Sequence, residues 1–408
     1  MAYDETAFRR GDEPPTDPAA YRANSLAAAE QRRRAEELDA ADAMAVEAAP
    51  DDGRRDRLGI HLGWEVVLLL AAGAFGFLLW RENANTFQRP ALDGLLITGA
   101  AIGLLTLGAG LTLRAGVPNL AIGPIALAAS LHYAEQGDLG LLRAGVPALI
   151  IATAGALAVG LLIVVLHVPG WVATLGAALG VIVYDQLRVT PVAVQGTYDP
   201  TNQAFFLFGG FALLAVLGGA LGTVTPVRRW LGGLRSPGDP ARRRGAVVAL
   251  PVIGTLVLSS IFAVGAGTLI AAQSKTPIVP GTGLEWTGIA LGLALLAGTS
   301  AFGRRGGMFG TLFAVAAFTL YLDWSTRKGL DIALFATAAG VLGGGLVVTR
   351  LVESFGRPLS PVSGDEWNAA PAATAQNWTP DLESWTTATT PAAGRTDRWD
   401  DGPWGSAR

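Results

Sequence analysis

No cysteine occurs anywhere in the 408 residues. That excludes disulfides, thiolate metal sites and a cysteine nucleophile together. Histidine is almost as scarce. His61, His132 and His167 are scattered along the chain, so no metal site is expected. Lysine occurs only at Lys275 and Lys328, and neither stands in the G-x-x-x-x-G-K-[ST] spacing of a phosphate-binding loop, so that route to ATP is closed. No Ser/His/Asp set and no paired carboxylates share a plausible depth, so the chain is not expected to be an enzyme, and no cofactor is implied. Charge itself is what the middle of the chain lacks most, with almost none through long stretches between residues 62 and 350.

What fills those stretches is apolar. The chain is 51% hydrophobic, and the hydrophobic residues are clustered. A bilayer core about 30 Å thick needs roughly 20 apolar residues per helix. Ten such segments read as helical spans, near 62–80, 92–113, 117–133, 145–166, 170–188, 203–224, 246–272, 285–302, 306–322 and 330–350. The expected fold is therefore an all-α, polytopic transmembrane helix bundle of about ten spans. It divides as 1–60, an N-terminal extension; 61–350, the membrane domain; and 351–408, a C-terminal tail. The first apolar run starts too late for a secretory signal peptide.

Both extensions are acidic. Residues 1–57 hold nine basic and fourteen acidic side chains, and residues 351–408 hold four and eight. The overall charge of −3 therefore belongs to the tails and gives no reason to expect a nucleic-acid partner. The first extension reads as a solvated helix after Ser25 with disordered flanks. The second is Pro/Thr/Ala-rich and carries Trp367, Trp378, Trp385, Trp399 and Trp404. It reads as disordered, or as a set of aromatic docking motifs.

An even number of spans puts both termini on one side. With the termini inside, fourteen arginines near the membrane domain face inward and seven basic residues face outward, which is the sense of the positive-inside rule. Treating 117–133 as a re-entrant loop would move the arginine-rich 228–244 loop to the other side. Trp64, Trp80, Trp171, Trp286 and Trp324 fall at predicted span ends, where indoles favour the headgroup layer. Glu65, Asp93, Asp185, Glu285, Asp323 and Asp331 also fall at span ends and are expected to reach the interface. The inference is a multi-pass protein of a plasma membrane in contact with membrane lipids.

Glycine is frequent within the spans, as in "LAVLGGALGTV" and "GVLGGGLVV", and most of it is expected to serve close helix packing. Two hairpins share a layout. Residues 92–133 are a span, a Gly/Pro turn and a short span, and 285–322 repeat the plan around "FGRRGG". Interrupted segments in the two halves of a membrane chain point to a transport pathway. In "RAGVPNLAIGP", Pro118 and Pro124 are expected to break the helix. Gly116 and Gly123 permit unusual torsions or close contact, and Asn119 serves either the freed carbonyls or a solute. Gly303 and Gly307 mark the second break.

Three stretches then carry a resemblance. "RAGVPNLAIGPIALAAS" resembles the G-x-x-N/D-x-x-x-G element of the permease subunits of ABC importers for branched-chain amino acids, simple sugars and nucleosides. "VPGWVATLGAALGVIVYDQLRV" resembles that family's P-x-x-x-x-T-L-G span, through Pro169, Thr174, Leu175 and Gly176. "GIALGLALLAGTSAFGRRGGMFGTLFAVAAF" resembles its G-G-T-S-x-x-G-G-x-G-x-x-x-G-T element, through Gly298, Thr299, Ser300, Gly303, Gly307, Gly310 and Thr311. The chain departs from the family at Pro124, where a polar residue is usual, and in the 226–245 loop, which keeps Gly232 and Gly233 alone.

The resemblance implies a bacterial inner-membrane importer subunit that pairs with a second permease subunit, identical or not. It implies a separate ABC ATPase subunit, docked on Arg228, Arg229, Trp230, Arg242, Arg243 and Arg244, and an extracytoplasmic solute-binding protein. A simple sugar is the expected solute, with nucleosides and branched-chain amino acids as alternatives. Asn119, Thr174, Tyr184, Thr299 and Ser300 are the expected pathway residues; Tyr184 is chosen on chemistry, because aromatic faces suit sugars. An ion-coupled carrier, or a membrane scaffold acting through its tails, remain alternatives of other classes.

Overall fold

The computed structural model describes residues 58–221, 224, 246–300 and 308–356. Among these residues helix is the only regular secondary structure, and the only extended pairing is an isolated antiparallel bridge between Val192 and Ile278. Ten α-helices follow in order: α1 Leu58–Glu82, α2 Ala91–Arg114, α3 Ile122–Gln136, α4 Leu141–Val165 and α5 Gly170–Gln186, then α6 Ala204–Leu221, α7 Ala246–Gln273, α8 Leu284–Leu296, α9 Gly310–Arg327 and α10 Leu334–Gly356. Each coincides with one apolar segment of the sequence. Six of them (α1, α2, α4, α6, α7 and α10) are long and apolar enough to cross a membrane. The apolar helices fit a multi-pass membrane protein.

The bundle has an inside and an outside. Over its most apolar stretch α2 is 56% buried, whereas α1 and α4 are 17% buried. α2 therefore stands at the centre, packed through Ile97, Ala101 and Leu105 against α7 (Ala263, Ala266) and α8 (Ala290). α1, α6, α8 and α9 share a second core around Phe211, Leu293 and Phe318. α4, α5 and α7 share a third around Ile163, Ala173 and Leu256. The outer faces of α1, α4, α5 and α6 expose Leu70, Ile151, Val183 and Phe206. Burying apolar side chains of this size from water is favourable by roughly 1.5–3 kcal/mol each, and in a bilayer they face hydrocarbon instead.

Helix ends inside the bundle are satisfied by tight backbone turns and by side chains of neighbouring helices. α2 ends in a Schellman turn: Gly116 has φ +73°, Val117 N–H donates to the Thr112 carbonyl at 2.9 Å and Gly116 N–H to Leu113 at 3.0 Å. α8 ends the same way at Gly298, with φ +91° and Thr299 N–H donating to Ala294 at 3.0 Å. Its last carbonyls are taken by neighbours: Thr349 donates to Leu295 at 3.1 Å and Trp64 Nε1 to Leu296 at 2.6 Å. In lipid such groups have no water to turn to.

Pro124 is a correction. It does not break a helix but occupies the first turn of α3, where its missing N–H has no intrahelical partner to lose. The break lies wholly in 115–121. The carboxylates are corrected too. Glu65 is 4% exposed, Asp93 5% and Asp185 0%, so none of the three reaches out to the interface. Glu65 is buried because it caps another helix: its carboxylate accepts from the Phe309 and Gly310 N–H groups at 2.9 and 3.3 Å, at the start of α9.

Candidate functional site

Four helices border a side-opening chamber of about 560 Å³. α3, α4, α5 and α7 supply its walls. α4 and α5 are joined by a short turn at 166–169, next to which Ile163 and Ala173 pack in one core. The polar lining residues are Asn119, His132, Tyr184 and Ser260; every other one is alanine, glycine or a branched aliphatic residue. Gly155 on α4 and Gly180 on α5 line it, and a Cβ on either would meet no atom within 4 Å. These two are wall glycines, unlike Gly160, whose Cβ would lie 2.8 Å from Ile253.

At its inner end stands the α2–α3 break. Asn119 is 3% exposed and fully engaged. Its Oδ1 accepts from Ala121 N–H at 3.1 Å, its Nδ2 donates to Ser259 Oγ at 3.1 Å, and its own N–H donates to Thr112 Oγ1 at 3.2 Å. The asparagine is thus a turn device that closes the chamber floor. Thr174, 1% exposed, donates to the Pro118 carbonyl at 2.8 Å and ties α5 to the same break. Gly123 closes the other side of the break: its N–H donates to Thr287 Oγ1 at 3.1 Å, and Thr287 in turn donates to the Leu120 carbonyl at 3.1 Å. A Cβ at Gly123 would stand 2.1 Å from the Gly283 carbonyl oxygen. The N-termini of α3 and α8 therefore meet backbone to backbone.

The opposite end is polar. Arg188 reaches across from the end of α5 to Glu135 on α3, with Nη2 donating to Oε2 at 2.7 Å and Nε to Oε1. The guanidinium also lies 4.7 Å above the Tyr184 ring and donates to its hydroxyl at 3.1 Å. His132 Nε2 is buried there without a hydrogen-bond partner. Next to Tyr184, both carboxylate oxygens of Asp185 are buried and unpartnered. The 187–203 loop covers this end, packed through Gly196 on Tyr133 and pinned by Gln195 N–H donating to the Ala134 carbonyl at 2.9 Å. Further along it, Asp199 accepts from the Thr201 N–H and hydroxyl, which hold its carboxyl below the usual range, while burial pushes the Tyr198 phenol up.

Of the expected pathway residues, the structure brings Asn119 and Tyr184 to the chamber and places Thr174 just behind its floor. Thr299 and Ser300 are buried at the end of α8, outside the chamber lining. Gly303, Gly307, Arg228, Arg229, Trp230, Arg242, Arg243 and Arg244 lie outside the described residues, as do 1–57 and 357–408 of the two terminal extensions; 58–60 belong to α1 and 351–356 to α10. Thr287, Ser259 and the Glu135–Arg188 pair escape the sequence reading, which places Glu65 at the interface and not as the cap of α9. A Trp-Glu pair at a span start was the one signal for Glu65; nothing in the sequence aligned Ser259 with Asn119.

No protein-family model, curated protein or solved structure matches the chain. The chemistry of the chamber therefore stands on its own residues. A hexose needs partners for several hydroxyls, and each one left buried and unpaired costs about 1–3 kcal/mol. Each buried methylene gains about 0.8 kcal/mol. An alanine-lined wall with so few polar groups sides with the methylenes.

Proposed function

We propose that the chain is the membrane permease subunit of an ATP-driven importer. One observation carries this reading: a ligand-sized chamber lies among the apolar helices, walled by four of them and floored by a helix break that Asn119, Thr112 and Thr174 hold in place. In this reading all ten helices traverse the bilayer, both termini are cytoplasmic, and the membrane is a bacterial inner membrane. The arginine-rich loop around Trp230 meets a separate ABC ATPase subunit. A second permease subunit and an extracytoplasmic solute-binding protein complete the assembly. Opening and closing the α4–α5 side of the chamber is the step that ATP binding drives. The sugar expected from the resemblance is the part of the reading that the chamber walls favour least.

The deciding experiment is purification of the chain from its own membrane in mild detergent, with identification of what accompanies it. Co-purifying nucleotide-binding and solute-binding subunits are expected. A chain recovered alone, whose vesicles take up solute in response to an ion gradient without ATP, overturns the proposal. Asp185 gives that second reading its specific support, because an unpaired buried carboxylate at a membrane site is a candidate for ion coupling. Under it, Asp185→Asn abolishes gradient-driven uptake; under the importer reading, ATP-driven uptake survives the exchange.

A further inference from the structure

We infer that the ligand of the chamber is a neutral amphiphile drawn from the bilayer: a hydrocarbon chain with one small uncharged head, the head at His132 and Tyr184. The inference rests on the reading of the chamber as the solute pathway, and deepens it. Three observations on the same space lead there. The first is the wall. Between the Asn119 floor and the polar end, the lining is alanine, glycine and branched aliphatic side chains with Ser260 as the one polar exception, and no Asp, Glu, Lys or Arg belongs to it. A charged or many-hydroxyl ligand would shed its water there and find nothing in return.

The second is the mouth. Ile151 of α4 is 70% exposed and Tyr184 of α5 is 44% exposed, yet both line the chamber, so it opens sideways between these helices. The outer faces flanking that opening carry Ile150, Leu179 and Val183, which are exposed and apolar. In a bilayer this mouth looks onto hydrocarbon, and what passes it comes from the lipid phase.

The third is the asymmetry of the two ends. At the floor, Asn119 is bonded to Ser259 and Ala121. At the other end His132 Nε2 has no partner, and the Tyr184 hydroxyl holds a single bond from Arg188. That end offers a head group an imidazole and a phenol together, where the floor end offers the Ser260 hydroxyl alone. Arg188 does not offer a bare charge, because Glu135 neutralises it. The head is therefore uncharged, able to donate to or accept from an imidazole and a phenol. Along α3, the distance from Ala121 to His132 is about 16 Å at 1.5 Å per residue, room for an extended chain.

The test uses the full chain with whatever accompanies it from its own membrane, reconstituted in lipid nanodiscs. The probes are two photoactivatable long-chain alcohols, one with a diazirine beside the hydroxyl and one with it at the chain end. Expected are head-probe adducts around His132 and Tyr184 and tail-probe adducts around Ala177 and Leu256, with no displacement by galactose, ribose, uridine or leucine. Gly155→Phe and Gly180→Phe fill the chamber from positions with open space around them, and are expected to abolish these adducts. Gly176→Phe, on α5 outside the lining, is the control that retains them. Adducts spread alike over α1 and α6 and unchanged by Gly155→Phe overturn the inference. So does displacement of chamber adducts by a sugar, nucleoside or amino acid, or adducts of reversed polarity. The pathway reading fails separately: chamber adducts as expected, combined with ATP-driven uptake that Gly155→Phe leaves intact, would keep the ligand and remove the pathway.

Discussion

Glu65 and Gly123 show how much of this bundle is decided by single atoms. A buried carboxylate is costly unless hydrogen-bonded, and Glu65 is held by the two free amides that open α9, where the helix dipole also favours it. Replacing it with alanine strands those donors. Glu65→Ala is expected to lower stability by about 1–3 kcal/mol, and Glu65→Gln, which keeps an acceptor oxygen, by less. Thermal unfolding in detergent measures both, and faster hydrogen exchange at Phe309 and Gly310 locates the loss. Gly123 makes the opposite demand, since any side chain must displace the Gly283 backbone. Gly123→Ala is expected to destabilise by about 1–3 kcal/mol or more through overpacking. Gly180→Ala meets open space and is expected to be neutral or to gain up to about 1 kcal/mol from helix propensity. Equal effects at the two positions would contradict the close approach of α3 and α8.

Helix by helix, the apolar runs were readable because each is bounded by Gly, Pro or Arg and is too long for anything but a helix in an apolar setting. Their mutual arrangement was not. The 117–133 run begins its helix only at Ile122, because Asn119 takes the Ala121 N–H and Thr112 takes that of Asn119, a preference visible only once α2 has folded back. Likewise Pro118 and Pro124 look equivalent in the sequence, yet one sits in the break and the other in the first turn of a helix. Which glycines pack and which line a wall also depends on partners: Gly267 lies against the Ala126 carbonyl of α3, while Gly155 faces open space. The paired turns at Gly116 and Gly298 make a prediction at this scale. A left-handed residue other than glycine costs about 1–2 kcal/mol, so Gly116→Ala and Gly298→Ala should each destabilise by that amount. A double variant should show the sum, because the turns close different helices. A loss confined to one of them would mean that the two breaks are not equivalent in solution.

For the whole molecule the question is how many times the chain crosses. α3 has 15 residues and α8 has 13, spanning about 22 Å and 20 Å, short of a bilayer core. Their N-termini meet at Gly123 and Gly283, each approached by a non-helical segment, 115–121 from one face and 274–283 from the other. Helix and segment together cover the depth that neither covers alone. One face of the bundle gathers several turns: Gly137 lies against Gly196, Val192 bridges Ile278, and Lys328 pairs with Glu82 at 2.6 Å. Under the proposed ten traverses such a gathering follows, because each pair of turns is then separated by an even number of crossings. The absence of cysteine makes the matter testable by single-cysteine labelling with a membrane-impermeant maleimide. Asp138→Cys, Asp199→Cys and Lys275→Cys are expected to react in intact cells, and Arg114→Cys and His167→Cys only after permeabilisation. If only the six long helices crossed, Asp138→Cys and His167→Cys would exchange behaviour while the other three stayed as they are. That exchange would place α3 and α5 on the membrane surface, and the chamber they wall would cease to be a passage.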